Sequence, residues 1–137
     1  MLEAGDVFLI RDPRNTGYDP HYQIVVHKTA SNDLVLVYAT TKIDKAKERC
    51  IRDSPDTPTG EVPKTYVEIP KGSCASLPRL SAVDCNKAFL SNESERESGM
   101  DFKKRSHKIG KEFLDRIKDG IRNSEIVPGV VTKALDL

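Results

Sequence analysis

A chain of 137 residues with 37% hydrophobic residues, no Trp and 22 basic against 21 acidic side chains is sized for one domain. It is long enough to bury a core without disulfides or a metal. Its net charge of +1 excludes a uniformly basic nucleic-acid-binding surface, and its organised apolar runs exclude a disordered chain. There is no run of about 18 apolar residues to span a membrane. The opening MLEAGDVFLIRD lacks the basic start of a signal peptide, so a cytoplasmic protein is expected. Cys50, Cys74 and Cys85 are odd in number, 24 and 11 residues apart. They form no close pairs, which predicts free thiols in a reducing compartment rather than a zinc site.

The first ninety residues read as strands. GDVFLIR at 5–11 is rich in Val, Ile and Phe and predicts a first strand. Residues 12–20 hold Pro13, Gly17 and Pro20 and predict a loop. HYQIVVHKT at 21–29 and LVLVYATT at 34–41 flank the polar turn Ser31-Asn32-Asp33, which makes them a hairpin. Residues 42–64 mix charges with Pro55, Pro58, Gly60 and Pro63. They predict a long excursion with a short strand at Cys50-Ile51, and loops of that length are usually functional. TYVEI at 65–69 is a strand, 70–78 a loop, and LSAVDCNKAFL at 80–90 a longer, bent strand.

After Leu90 the period changes. Residues 91–99 are a polar linker. Ile109, Phe113, Ile117 and Ile121 then recur every four residues, the stripe of an amphipathic helix. Ser106 is the expected N-cap and Asn123-Ser124 the expected end. Gly110 and Gly120 each weaken such a helix by about 1 kcal/mol relative to Ala, so packing must hold it. Residues 127–137 are a candidate short second helix. The fold class is mainly β with C-terminal α, a small barrel capped by helix. Residues 1–92 form the barrel, and 93–137 form a linker and helical segment packed on it as a single domain.

Several groups are candidates for chemistry. Residues 1–92 carry 12 basic and 12 acidic side chains, so the excess positive charge is local. Lys103, Lys104, Arg105, Lys108 and Lys111 lie together with no acid among them, either a phosphate-binding patch or a solvated helix face. His21 and His27 are six apart on one strand, which puts them on one face. Each is a general acid–base candidate or an ordinary polar-face residue. Thr40-Thr41 ends the third strand, where hydroxyls can hold a phosphate. Asp84 and Asn86 share a strand face. No GxSxG, Walker or GxGxxG pattern is present.

The order of these motifs resembles the MazF/PemK/Kid-like toxin family over residues 4–90, with the helix as a further match. A Gly-Asp-Val strand, a Pro/Gly loop, a hairpin ending in Thr-Thr, a charged excursion, a VDCNK-like strand and a terminal amphipathic helix follow one another. The resemblance implies an SH3-like barrel and a metal-independent endoribonuclease acting on single-stranded RNA, with no cofactor. It further implies a homodimer neutralised by a cognate antitoxin protein. By position, Gly5 and Asp6 match the opening Gly-Asp, and Thr40 and Thr41 match the hydroxyl-bearing strand end in the RNA site. Asp84, Cys85 and Asn86 correspond to the late strand that supplies an Arg and an Asp in some members.

The chain departs from that pattern at two places. Tyr22-Gln23 stands where the family has Arg-Pro, and Asp84 stands in place of the late-strand Arg. His21, as acid or base, and Arg79 or Lys87, as phosphate-charge partners, are the candidate substitutes beside Thr40 and Thr41. Lys103, Lys104, Arg105 and Lys108 are the candidate nucleic-acid contacts. The lost Arg also supports a rival, a catalytically inactive barrel that binds nucleic acid or protein. A third possibility is an interaction protein that lays the helix stripe against a partner chain.

Overall fold

Antiparallel pairing on both edges of one central strand organises the molecule. A computed structural model describes residues 1–12 and 19–137. The strands are β1 (Val7–Ile10), β2 (His21–Lys28), β3 (Asp33–Thr40), β4 (Tyr66–Ile69), β5 (Ser81–Asp84), β6 (Phe89–Asn92) and β7 (Lys103–Lys104). They form one sheet in the order β4-β5-β3-β2-β1-β7, with β6 also on β3. The helices are α1 (Ile43–Arg52), α2 (Glu93–Glu97), α3 (Lys111–Asn123) and α4 (Gly129–Ala134). Mainly β with C-terminal α is therefore the fold class. The loop expected at 12–20 falls mostly on 13–18, outside the described residues. No helix among the described residues is long and apolar enough to cross a membrane.

The hairpin forms as expected, because β-branched and aromatic residues on both strands bury apolar side chains on both faces. Ile24, Val26, Val35 and Val37 join the large core beneath α3 and α4, where Phe113, Leu114, Ile117 and Ile121 form the buried stripe. Val25, Leu34 and Leu36 join a second cluster with Leu2, Phe8 and Ile10.

The expected strand at 80–90 is two strands. β5 pairs with β3 at Ala39 and Thr40, and β6 pairs with it at 33–36. Between them Cys85–Lys87 makes a 3-10 turn, started by the Asp84 carboxylate, which accepts the Asn86 amide at 3.0 Å. Asp84 and Asn86 are both buried, so they offer no open polar strand face.

Other expectations change for local reasons. Residues 43–52 are helical, with Ala46 and Cys50 buried against Tyr66 and Ala82. Ile43, Ala46 and Cys50 carry the helical spacing, among ten residues free of Gly and Pro. The expected linker at 91–99 contains α2, capped by the Asn92 side chain on the Ser94 amide. α3 begins after Gly110 rather than Ser106. The preceding residues are held extended, because the Ile109 amide bonds the Gly5 carbonyl (2.9 Å) and Ser76 Oγ bonds the His107 carbonyl (2.6 Å). Gly5 itself has φ +93°, a left-handed turn that L side chains resist.

Gly120 explains why a glycine sits inside α3. A Cβ there would lie 2.5 Å from Cys85 Sγ and 2.8 Å from the Lys64 carbonyl oxygen. The bare backbone lets α3 settle on the 3-10 turn. Gly120→Ala improves helix propensity by about 1 kcal/mol, yet overpacking costs about 1–3 kcal/mol. Net destabilisation is the expected result in urea unfolding; a raised midpoint would show that the helix can move away.

The two strand histidines do not share a face. The β2–β3 register shifts between Val25 and His27, and a bulge of one residue reverses the alternation. His27 consequently pairs with Val35 on the large-core side, whereas His21 keeps the face of Gln23 and Val25. Burial, then the Lys118 and Arg122 charges, hold the His27 pKa below its ordinary 6.5, against a smaller opposing pull from Asp136. Folding therefore favours neutral His27, and its contribution is complete above pH 6.5 and lost as pH falls below it. His27→Gln is expected to flatten the acid side of the stability–pH curve, measured by urea unfolding between about pH 5 and 8.

Candidate active site

The end of the hairpin opens into a cleft of about 290 Å³. It is lined by Pro20, His21, Tyr22, Ala39, Thr40, Thr41, Lys42, Pro78, Arg79 and Ser81. Register explains the meeting of the first group. Tyr22 pairs with Ala39, so one step further His21 falls opposite Thr40, at the start of β2 and the end of β3. Directly opposed residues sit with Cβ atoms about 5 Å apart. The loop before β5 then brings Arg79 to the same opening, anchored where Ser81 Oγ donates to the Arg79 carbonyl at 3.0 Å.

Four of the five catalytic candidates thus converge: His21, Thr40, Thr41 and Arg79. Lys87 does not. It lies exposed on the 3-10 turn and is absent from the cleft lining. Lys42 joins the set and is missed by sequence reasoning, because 42–64 reads as a long charged excursion with a short strand only at Cys50-Ile51. The β-strand end followed at once by a helix is the signal that would have found it.

The cleft is electropositive. Among the described residues no acidic side chain lines it, and neither Lys42 nor Arg79 has an ion-pair partner. Lys42 is the N-cap of α1, without a side-chain cap, so the positive end of that helix adds to the field. The Lys42 amide donates to Thr40 Oγ1 at 3.1 Å, leaving the Thr40 hydroxyl proton for another acceptor. His21 Nε2 is buried and has no hydrogen-bond partner among the described residues. A larger cavity of about 350 Å³ lies near the end of α3. It is lined by Asp56, Glu61 and Glu125 against one Lys64, a poor match for a phosphate.

The basic cluster is not a helix face. Lys103 and Lys104 form β7 on the edge of the sheet, pairing with Leu9 and Phe8. Acids distant in sequence meet it in space. Lys104 lies 3.5 Å from Asp6, Lys108 pairs with Glu3, and Lys111 pairs with Asp115 at 2.9 Å. The Lys108 ammonium holds the Glu3 carboxyl below its usual range. Lys103 and Arg105 keep no acidic partner among the described residues.

Asp84 faces Arg49 of α1 at 3.6 Å, and neither residue lines the cleft. Burial, then the Asp84 charge, pushes the Cys50 thiol up to about 12, and burial raises the Cys85 thiol as well. Both thiols are therefore protonated at neutral pH and unsuited to nucleophilic attack.

A single antiparallel sheet with C-terminal helices, opening into a cationic cleft at a hairpin end, is the architecture to compare with known proteins. Among solved structures, the chain is similar to an endoribonuclease in complex with its cognate antitoxin from a mycobacterial species. The TM-score is 0.53 at 13% identity, covering 93% of this chain and 98% of that one. The resemblance to the MazF/PemK/Kid-like toxins holds at the level of fold. No protein-family model and no curated protein matches the sequence.

Proposed function

We propose that the protein is an endoribonuclease of the toxin type, cutting single-stranded RNA in the cleft of His21, Thr40, Thr41, Lys42 and Arg79. The observation that carries this is the convergence of an imidazole nitrogen, two hydroxyls and two cations in one cleft where, among the described residues, the nitrogen has no hydrogen-bond partner, the cations no ion-pair partner and the lining no acid. The 2′-hydroxyl of the substrate would lose its proton and attack the adjacent phosphorus. The bond to the 5′ oxygen of the next nucleotide would break, leaving a 2′,3′-cyclic phosphate and a free 5′-hydroxyl.

In this scheme His21 moves the proton. Lys42 and Arg79 offset charge that builds on the phosphate oxygens, supplying what the family's Arg would. The Thr40 hydroxyl donates to one of those oxygens, and Thr41 completes the rim. The step uses no metal and no cofactor. Lys103 and Arg105 offer the RNA a further contact outside the cleft, because neither has an acidic partner among the described residues.

The likeness in fold to an antitoxin-bound endoribonuclease supports a cognate antitoxin as partner; a cytoplasmic homodimer as the active form is part of the same proposal. Induced expression of the wild type in a bacterial host is expected to arrest growth and fragment bulk RNA. His21→Ala with Thr40→Ala is expected to do neither. Normal growth with intact RNA under strong wild-type expression would contradict the proposal and favour a binding module.

A further inference from the structure

Next to the cleft, on the same face of the sheet, lies a buried polar cluster that the chemistry above does not use. Asp12, Gln23 and Arg96 are 3%, 0% and 7% exposed. One carboxylate oxygen, Asp12 Oδ2, accepts from Arg96 at 2.7 Å, from Gln23 at 3.0 Å and from Tyr38 at 3.5 Å. The Arg96 guanidinium also lies over the Phe89 ring, 5.9 Å from its centre, and Phe89 stacks on Tyr38 at 5.1 Å. The cluster ties the end of β1 to β2, β3, β6 and α2.

A buried ion pair is a weak source of stability, because desolvation offsets most of the attraction and apolar replacements are often neutral or better. Its placement is more informative. Gln23 pairs with Tyr38, and each lies two residues from a cleft residue, His21 and Thr40 respectively. Alternation puts all four on one face. The Gln23–Tyr38 pair is thus the neighbouring same-face pair to His21–Thr40, and the Asp12 carboxylate clamps it.

We propose that Arg96 is a positioning residue: through Asp12 it fixes the Gln23–Tyr38 pair and so the orientation of His21 and Thr40. The proposal rests on the assignment of His21 and Thr40 to RNA cleavage. The clamp makes no contact with substrate. It narrows the angles over which imidazole and hydroxyl meet a phosphate, which affects the chemical step more than binding.

The test is the paired variant Asp12→Leu with Arg96→Met, which removes both charges together and so leaves none buried alone. Its thermal midpoint is expected near that of the wild type, with kcat lowered roughly tenfold or more and KM within about twofold. The imidazole carbon–proton NMR signals of His21, assigned by His21→Ala, are expected to shift or broaden. A folded paired variant with wild-type kcat and unmoved His21 signals would overturn the proposal. If it does not fold, Gln23→Met removes one donor and keeps the ion pair, and the same readouts decide. If the wild type cuts no RNA, the assignment of the cleft fails; the His21 signals then still show whether the clamp orients the ring.

Discussion

His21→Ala is expected to lower the rate of RNA cleavage by about 10²–10⁴-fold, the usual contribution of a positioned acid or base. The effect should fall on kcat at saturating RNA, because an imidazole that moves a proton adds little to ground-state binding. Thr40→Ala is expected to reduce kcat as well, with partial rescue by Thr40→Ser, which restores the hydroxyl. Thr40 also accepts the Lys42 amide, so its loss disturbs the start of α1 as well as the phosphate contact. Arg79→Ala and Lys42→Ala should lower kcat, and should also raise KM while weakening its salt dependence, since each removes a phosphate-facing cation without an acidic partner among the described residues. Gel-resolved cleavage of a labelled RNA across a salt series measures all five variants. Equal kcat in wild type and His21→Ala would remove His21 from the chemistry.

The largest loss of stability is expected from Arg96→Ala. The guanidinium is buried against Asp12 at 2.7 Å, and removing one partner strands the other charge away from water. Breaking a buried pair in this way costs about 3–5 kcal/mol. That is a large part of the roughly 5–15 kcal/mol by which a domain is stable. Loss of the contact with the Phe89 ring adds to it. Urea unfolding monitored by circular dichroism should show a much lower midpoint. The variant missing both charges should be less affected than the single one. A single variant as stable as the wild type would mean that water reaches Asp12 and solvates it.

Much of this architecture is written in short-range pattern. The hairpin is legible because Val, Ile and Tyr runs flank a three-residue polar turn, and α3 because its stripe repeats every four residues. The convergence of His21 and Thr40 follows from the hairpin alone, once its register is known. What was hidden depends on contacts between distant segments. The charges of 42–64 masked α1, whose apolar stripe is only three residues wide. The bulge that separates His27 from His21 leaves no sign in VVHK. Lys104 and Lys108 look uncompensated along the chain, yet meet Asp6 and Glu3 from the other end of it. Arg96 sits in a stretch, NESERES, that reads as linker, and burial alone reveals its place. Arg79 enters the cleft because Ser81 starts a strand on β3, a pairing no local pattern declares.

The most direct test of the cleft as a ribonuclease centre is the chemistry of the cut ends. Purified protein incubated with a labelled single-stranded RNA in excess EDTA should give fragments with 2′,3′-cyclic phosphates and 5′-hydroxyls, read by mass spectrometry, and His21→Ala under the same conditions should leave the RNA whole. RNA left intact by excess wild-type protein, or fragments carrying 5′-phosphates, would contradict the mechanism assigned to His21 and Thr40.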